Sequence, residues 1–303
     1  MRLRFATRPV TIASPATSAN LGPGYDAMGL ALGYGDEITA EVTDDGMIVD
    51  VQGVGAGDLP TDETHLVASS MIAAFDAMGG RPAGIRVRCV NRIPHARGMG
   101  SSSAAIVGGI VAARGLVDDG PRLLPDRHAL ALAAHLEGHP DNVAAALYGG
   151  LTIAWSDFGE VAAVRSEVEA ALVVFVPPYE VSTSEARRLL PAEVPHADAA
   201  RNAGRAALLV AALTGRSDEL LAATQDDLHQ GYRSPAMPES FEFMSELRQT
   251  DVPAVISGSG PTVLAFAGTA ADSDTLVARC PTGWTARALQ VANTGAHRIS
   301  PTT

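Results

Sequence analysis

Cysteine is scarce in this chain: Cys89 and Cys280 are its only two, they stand far apart, and no His/Cys cluster surrounds either. That excludes a disulfide framework and a cysteine-built zinc site, and leaves two buried free thiols of a reducing compartment as the expectation. Basic charge is short as well, with 22 Lys and Arg against 34 Asp and Glu, a net charge of −12. Surfaces that grip nucleic acid or anionic membranes are built from clustered basic charge, so neither partner is expected. Aromatic residues are only 5% of the chain and form no stripe with basic ones on which bases could stack. Long apolar runs are missing too. The uncharged apolar stretch Gly98 to Ala113 falls short of the roughly 18 residues of a membrane span and is dense in Gly and Ser. Arg2, Arg4 and Arg8 alternate with apolar residues where a secretory signal needs a continuous apolar segment, so a cytoplasmic location is expected.

What is present is burial capacity. In 303 residues, 47% are apolar and 18% charged, which describes a globular chain large enough for two lobes. A change of character around 160–170 places the expected boundary there, giving lobes of 1–165 and 166–303. Val10–Ser14 reads as a short strand that breaks into a Pro/Gly loop through Asp26. Ile38–Val42 and Met47–Val51 flank Thr43-Asp44-Asp45-Gly46 and read as a hairpin. Thr61 or Asp62 is placed to cap a helix whose Val67, Met71, Phe75 and Met78 share one face. Ile85–Val90 reads as a strand, Ile106–Ala113 as a helix, and Asp126–Leu136 and Val143–Tyr148 as helices separated by Glu137-Gly138-His139-Pro140-Asp141-Asn142. Strands over Leu151–Trp155 and Ala171–Val176 precede helices over Thr183–Leu190, Ala199–Leu213, Asp218–Leu228 and Ser240–Gln249. A loop is expected at Tyr232–Pro235, and Ala254–Ser257 and Thr262–Phe266 close the pattern as strands.

The strongest chemical signal is strand, glycine-rich loop, helix at Pro94-His95-Ala96-Arg97-Gly98-Met99-Gly100-Ser101-Ser102-Ser103-Ala104. Two glycines admit an anion close to the backbone, and successive N–H groups at a helix start supply positive potential, so the segment reads as a phosphate cradle. No Lys follows the second Gly, which rejects a Walker A loop. Glu137 is a candidate magnesium ligand together with a cradle serine, because magnesium takes oxygen donors and commonly shares one carboxylate with phosphates. His139 and Asp141 are by type proton acceptors for an attacking hydroxyl, or else a cap and a satisfied surface group. The Gly53-Val54-Gly55-Ala56-Gly57 run fails as a dinucleotide fingerprint, since Asp58, Pro60 and Asp62 follow where an apolar helix should begin.

Three motifs in order, Pro15–Asp26, Pro94–Ala105 and Ser257–Pro261, resemble those of the GHMP small-molecule kinases across nearly the whole chain. Together with Glu137–Asn142, the first loop resembles the branch of that superfamily that phosphorylates L-homoserine. The resemblance implies an α+β fold of two lobes, the first like ribosomal protein S5 domain 2 and the second ferredoxin-like, with ATP and substrate in the cleft. It implies transfer of phosphate from ATP to the side-chain hydroxyl of L-homoserine, on the route to threonine. It further implies phosphate binding by Pro94–Ala104, magnesium held by Ser102 and Glu137, and homoserine near Asn20, Asp26, His139, Asp141, Thr183, Arg187 and Arg233, with Gly258 and Gly260 lining the site. Asp26 suits an ammonium, and Arg187 and Arg233 a carboxylate, for which a guanidinium fork is shaped. Asp141, Asn142, His139 and Arg233 are the candidates for catalysis. The aspartate that serves related kinases as base falls on Asn142 here, with Asp141 one residue earlier, so a side-chain base and none both stay open. The other readings are a GHMP kinase of another small molecule and a catalytically silent nucleotide-binding module. A homodimer is the expected assembly.

Overall fold

The computed structural model describes residues 3–300. Among the described residues, eleven strands form two sheets: β1 (Val10–Ala19), β2 (Met28–Thr43), β3 (Gly46–Gly53), β4 (Gly84–Asn91), β5 (Leu151–Asp157), β6 (Glu160–Ser166) and β11 (His297–Ile299) in one, and β7 (Ala171–Val176), β8 (Ala254–Ile256), β9 (Val263–Ala267) and β10 (Thr285–Gln290) in the other. The large sheet runs β11-β1-β2-β4-β3, with β5 on β2 and β6 on β5; the small one runs β10-β7-β9-β8. The helices Leu66–Met78, Ser101–Gly115, Asp126–Glu137 and Asp141–Tyr148 bury their apolar faces with the large sheet in one core. A second core, with Leu21, Leu30, Met99, Val174, Leu209 and Leu264, joins strands of both sheets to the helix His196–Leu213, and a third packs the helix Pro238–Gln249 on the small sheet.

Several local expectations yield to tertiary pairing. The strand at Val10 continues through Pro15 to Ala19, with a register shift between Pro15 and Ala16 that accommodates the proline's missing N–H. β2 and β3 do not form a hairpin: β4 lies between them, antiparallel to β2 and parallel to β3. Gly84, the first residue of β4, permits this: a Cβ there would strike the Asp45 peptide, and lacking one it lets the turn cross directly over the strand start. His65, not Thr61 or Asp62, caps the first helix, its Nδ1 accepting from the Val67 N–H at 3.2 Å. Asp62 instead holds Thr64. The helix expected over Asp218–Leu228 shrinks to a 3₁₀ turn and Leu220–Ala223, because the Asp226 carboxylate takes the amides of Leu228, His229 and Gln230. The segment expected as a loop at Tyr232–Pro235 begins instead with a helical turn, Gln230–Arg233, followed by a 3₁₀ turn over Ser234–Ala236. β6 falls where the seam between lobes was expected, and beyond Phe266 the chain adds the helix Ala270–Val277, β10 and β11. Cys89 is buried as expected, while Cys280 is only half-buried.

Candidate active site

Three chain segments meet where the two sheets join. The Thr17 amide donates to the Met99 carbonyl at 3.1 Å, the Gly258 amide to the Ala19 carbonyl at 3.0 Å, and the Thr262 amide to the Arg97 carbonyl at 3.2 Å. These bonds stitch the first loop, the glycine-rich loop and the turn after β8 into one wall, and Asp36 braces the approach by accepting from the Arg92 and Ile93 amides. The cleft they leave is lined by Asn20, Asp26, Glu137, His139, Asp141, Asn142, Thr183, Arg187, Arg233 and Gly258, as the sequence suggests, and by the cradle from Ala96 to Ser102.

The cradle ends at a helix start. Gly100 occupies the cap position of Ser101–Gly115 with φ +66°, and no side chain caps the helix, so its first amides face the cleft without a protein acceptor at the cap. A Cβ on Gly100 would collide with the Thr17 hydroxyl. Ser102 and Ser103 hydroxyls both donate to Glu137 Oε1, at 2.6 and 2.7 Å. Other parts of the loop point elsewhere. Ala104 is buried, its carbonyl accepting from Ser14, and Pro94 and His95 lie off the cleft. Arg97, which the sequence places beside the phosphates, turns its guanidinium to the carbonyls of His95, Pro177 and Pro178 and to Glu180, 2.9 Å away. Gly260 lies beneath the wall rather than in the cleft, against Met237 and Ile256.

The other end of the cleft is charged. Arg187 grips Asp26 with two parallel bonds of 2.8 and 2.9 Å, and Asp26 is oriented by its own amide donating to Asn20 Oδ1 at 2.9 Å. That pairing holds the Arg187 proton more firmly than usual. Arg233 is buried, without a carboxylate in ion-pair reach among the described residues, and burial weakens its hold on its proton. Tyr25 and Ser259 went unread in the sequence. The Tyr25 hydroxyl accepts from Arg187 at 3.1 Å and from Arg233 at 3.4 Å, and Ser259 bonds Thr183 at 3.1 Å. A tyrosine next to the aspartate of a Gly/Pro loop carries no local signal for meeting arginines over 160 residues away.

Between these ends sits Asp141, with 3% of its side chain exposed, accepting from His139 Nδ1 at 2.8 Å and from the Asn142 amide at 2.7 Å. The bond to Asp141 pushes the His139 pKa up, against the effect of its burial. Asn142 accepts from the Thr17 hydroxyl at 2.7 Å. An amide does not take a proton near neutral pH, so Asn142 cannot act as the base that its position suggests. All 22 basic side chains of Lys/Arg type are arginine, so no lysine anywhere in the chain can meet a phosphate.

The family of GHMP kinases matches this chain twice, its N terminal domain over residues 65–150 and its C terminal domain over 199–284. The chain is 53% identical over 294 residues to the homoserine kinase of Streptomyces avermitilis, covering 96% of each. Against that of Streptomyces coelicolor the identity is also 53% over 294 residues, covering 96% of this chain and 95% of that one. The crystal structure of homoserine kinase from Cytophaga hutchinsonii superposes with a TM-score of 0.82 at 25% identity, covering 99% of this chain and 100% of that one.

Proposed function

This chain belongs to the homoserine kinases of the GHMP kinase family, and from that premise we propose how its cleft transfers the γ-phosphoryl group of ATP to the side-chain hydroxyl of L-homoserine. The observation that carries the reading is the Asp26–Arg187 pair beside Arg233, held at one end of a cleft whose other end is an uncapped helix start. A free amino acid is a zwitterion, and this pair offers opposite charge to each half of it: Asp26 for the ammonium, Arg187 and Arg233 for the carboxylate. Mevalonate, which lacks an ammonium, has no use for Asp26.

The phosphates of ATP lie along the cradle, where the amides at the start of Ser101–Gly115 face them. The donor set at Glu137 fits a magnesium ion shared with the nucleotide. It is a carboxylate beside the Ser102 hydroxyl, and no cluster of three or more His, Cys, Asp or Glu among the described residues is placed to hold a metal alone. Ser102 and Glu137 would hold the ion there, and it would supply neutralisation of phosphate charge.

Phosphoryl transfer through a loose transition state needs little help from a base, and rate comes from placing the hydroxyl in line and countering charge. Asp141 is already shared between His139 and the Asn142 amide, so this pair serves better to orient the substrate than to accept its proton. The direct test is ADP release with L-homoserine, L-serine, mevalonate and shikimate in turn. Turnover is expected with L-homoserine; turnover of another of these without it overturns the assignment.

A further inference from the structure

His229 is 1% exposed and sits in the turn that leads into Gln230–Arg233. Its Nε2 lies 2.8 Å from the Gly22 carbonyl oxygen, and its Nδ1 lies 3.3 Å from Arg233 Nη1. A carbonyl only accepts, so Nε2 carries the hydrogen; a guanidinium only donates, so Nδ1 offers its lone pair. One form of the ring satisfies both contacts, the neutral Nε2–H tautomer. An imidazolium would turn a second N–H toward a guanidinium that also has only N–H groups to give.

The rest of the surroundings hold the ring where this bond requires it. Asp226 accepts from the His229 amide at 3.1 Å and from the Gln230 amide at 2.7 Å, which sets the backbone on both sides of the His229 Cα. The Tyr25 ring lies against the imidazole, centroids 5.1 Å apart, and the Arg233 guanidinium carbon stands 5.1 Å from the same Tyr25 centroid. Arg233 is otherwise loosely held: its contacts to Tyr25 and the Gly258 carbonyl are 3.4 and 3.5 Å, and its Nε is buried without a partner. A long side chain with weak contacts loses rotamer freedom only where something fixes it.

We propose that His229 is the positioning residue for Arg233: suspended from the Gly22 carbonyl, it fixes Nη1 so that the guanidinium presents its remaining edge to the carboxylate of the substrate. This rests on the reading of Arg233 as a carboxylate ligand. Because Gly22 belongs to the first loop and Arg233 to the segment before the helix Pro238–Gln249, the imidazole also ties the two halves of the substrate site to one geometry.

Three variants of His229, Arg233→Ala and one double variant test it. His229→Leu removes both polar contacts and is expected to raise KM for L-homoserine about tenfold, the scale of one hydrogen bond to a charged group, with KM for ATP unchanged. His229→Asn keeps an acceptor near the Nδ1 position and is expected to recover most of that loss, whereas His229→Phe, of similar bulk but without an acceptor, is not. In an Arg233→Ala background, itself impaired for homoserine, His229→Leu is expected to add little, since the two act as a unit. Equal impairment in the Asn and Phe variants, or an undiminished effect of His229→Leu in that background, overturns the proposal. If His229→Leu does not fold, the Asn and Phe comparison decides alone. An Arg233→Ala enzyme with normal KM for homoserine would instead sink the reading of Arg233 itself.

Discussion

Asp26 shows how one side chain can be predicted by chemistry and still be placed only by the fold. The role proposed for it toward an ammonium rests on its charge and its loop; its bidentate partner, Arg187, is 161 residues away. Asp26→Asn removes a charge-assisted contact worth about 1.5–3 kcal/mol, so kcat/KM for L-homoserine should fall roughly 10- to 100-fold while KM for ATP holds. Steady-state kinetics in both substrates checks this, and an unaffected kcat/KM would favour a substrate without an ammonium. His139 supplies a pH test. Its folded pKa is raised above the ordinary 6.5 chiefly by the bond to Asp141. The stability it contributes is therefore fully present below the unfolded value and is lost as pH rises through the folded one. NMR titration of the His139 ring should show a midpoint above 6.5, moving down in Asp141→Asn; a midpoint below 6.5 in the parent protein contradicts the geometry.

At the scale of elements, the cradle depends on one close approach. Gly100 holds φ +66° against the Thr17 hydroxyl, so Gly100→Ala meets both a strained backbone and a collision. KM for ATP should rise on the order of tenfold, as for loss of one contact to a charged group, and Tm should fall. ATP kinetics and a melting curve measure both; an unchanged KM for ATP would separate this loop from the phosphates. The misread hairpin belongs to the same scale. The sequence Thr43-Asp44-Asp45-Gly46 has every local property of a tight turn between paired strands, and it is a turn. Whether the flanking strands pair with each other depends on β4, whose insertion is permitted by Gly84, forty residues downstream in the chain.

For the molecule as a whole, the cleft lies across the joint between two sheets that share one apolar core. A ligand that binds only the folded form stabilises it by about 2.7 kcal/mol at a hundred times its Kd, so ATP and L-homoserine should each raise Tm. Homoserine should also slow amide exchange in Pro15–Asp26 and Thr183–Arg188 together; protection confined to one of them would argue against a shared site. The two thiols report on the same body. Burial pushes the Cys89 pKa up to about 12 and places the side chain in the core under the large sheet, whereas Cys280 is half-buried. Alkylation of the native protein should therefore modify Cys280, with Cys89 reacting only as the fold opens. Fast labelling of both would mean that the first core opens locally.

Read alone, the sequence determined most strands and helices, the glycine-rich loop at a helix start and the polar Glu137 segment, because these rest on patterns within a few residues: apolar spacing, glycine next to a helix start, a carboxylate in a polar run; the class of fold came through the resemblance of its motifs to the GHMP kinases. It also named most of the side chains that line the cleft. Only the tertiary structure decided which arginine faces which acid, that Arg97 is turned away toward Glu180, and that Tyr25 and His229 stand against Arg233. Those outcomes depend on partners distant in the chain and on competition for a limited set of donors and acceptors. Asp226 shows it most simply: composition favours a helix through Leu228, but one buried carboxylate taking three amides ends it and so sets Arg233 in the cleft.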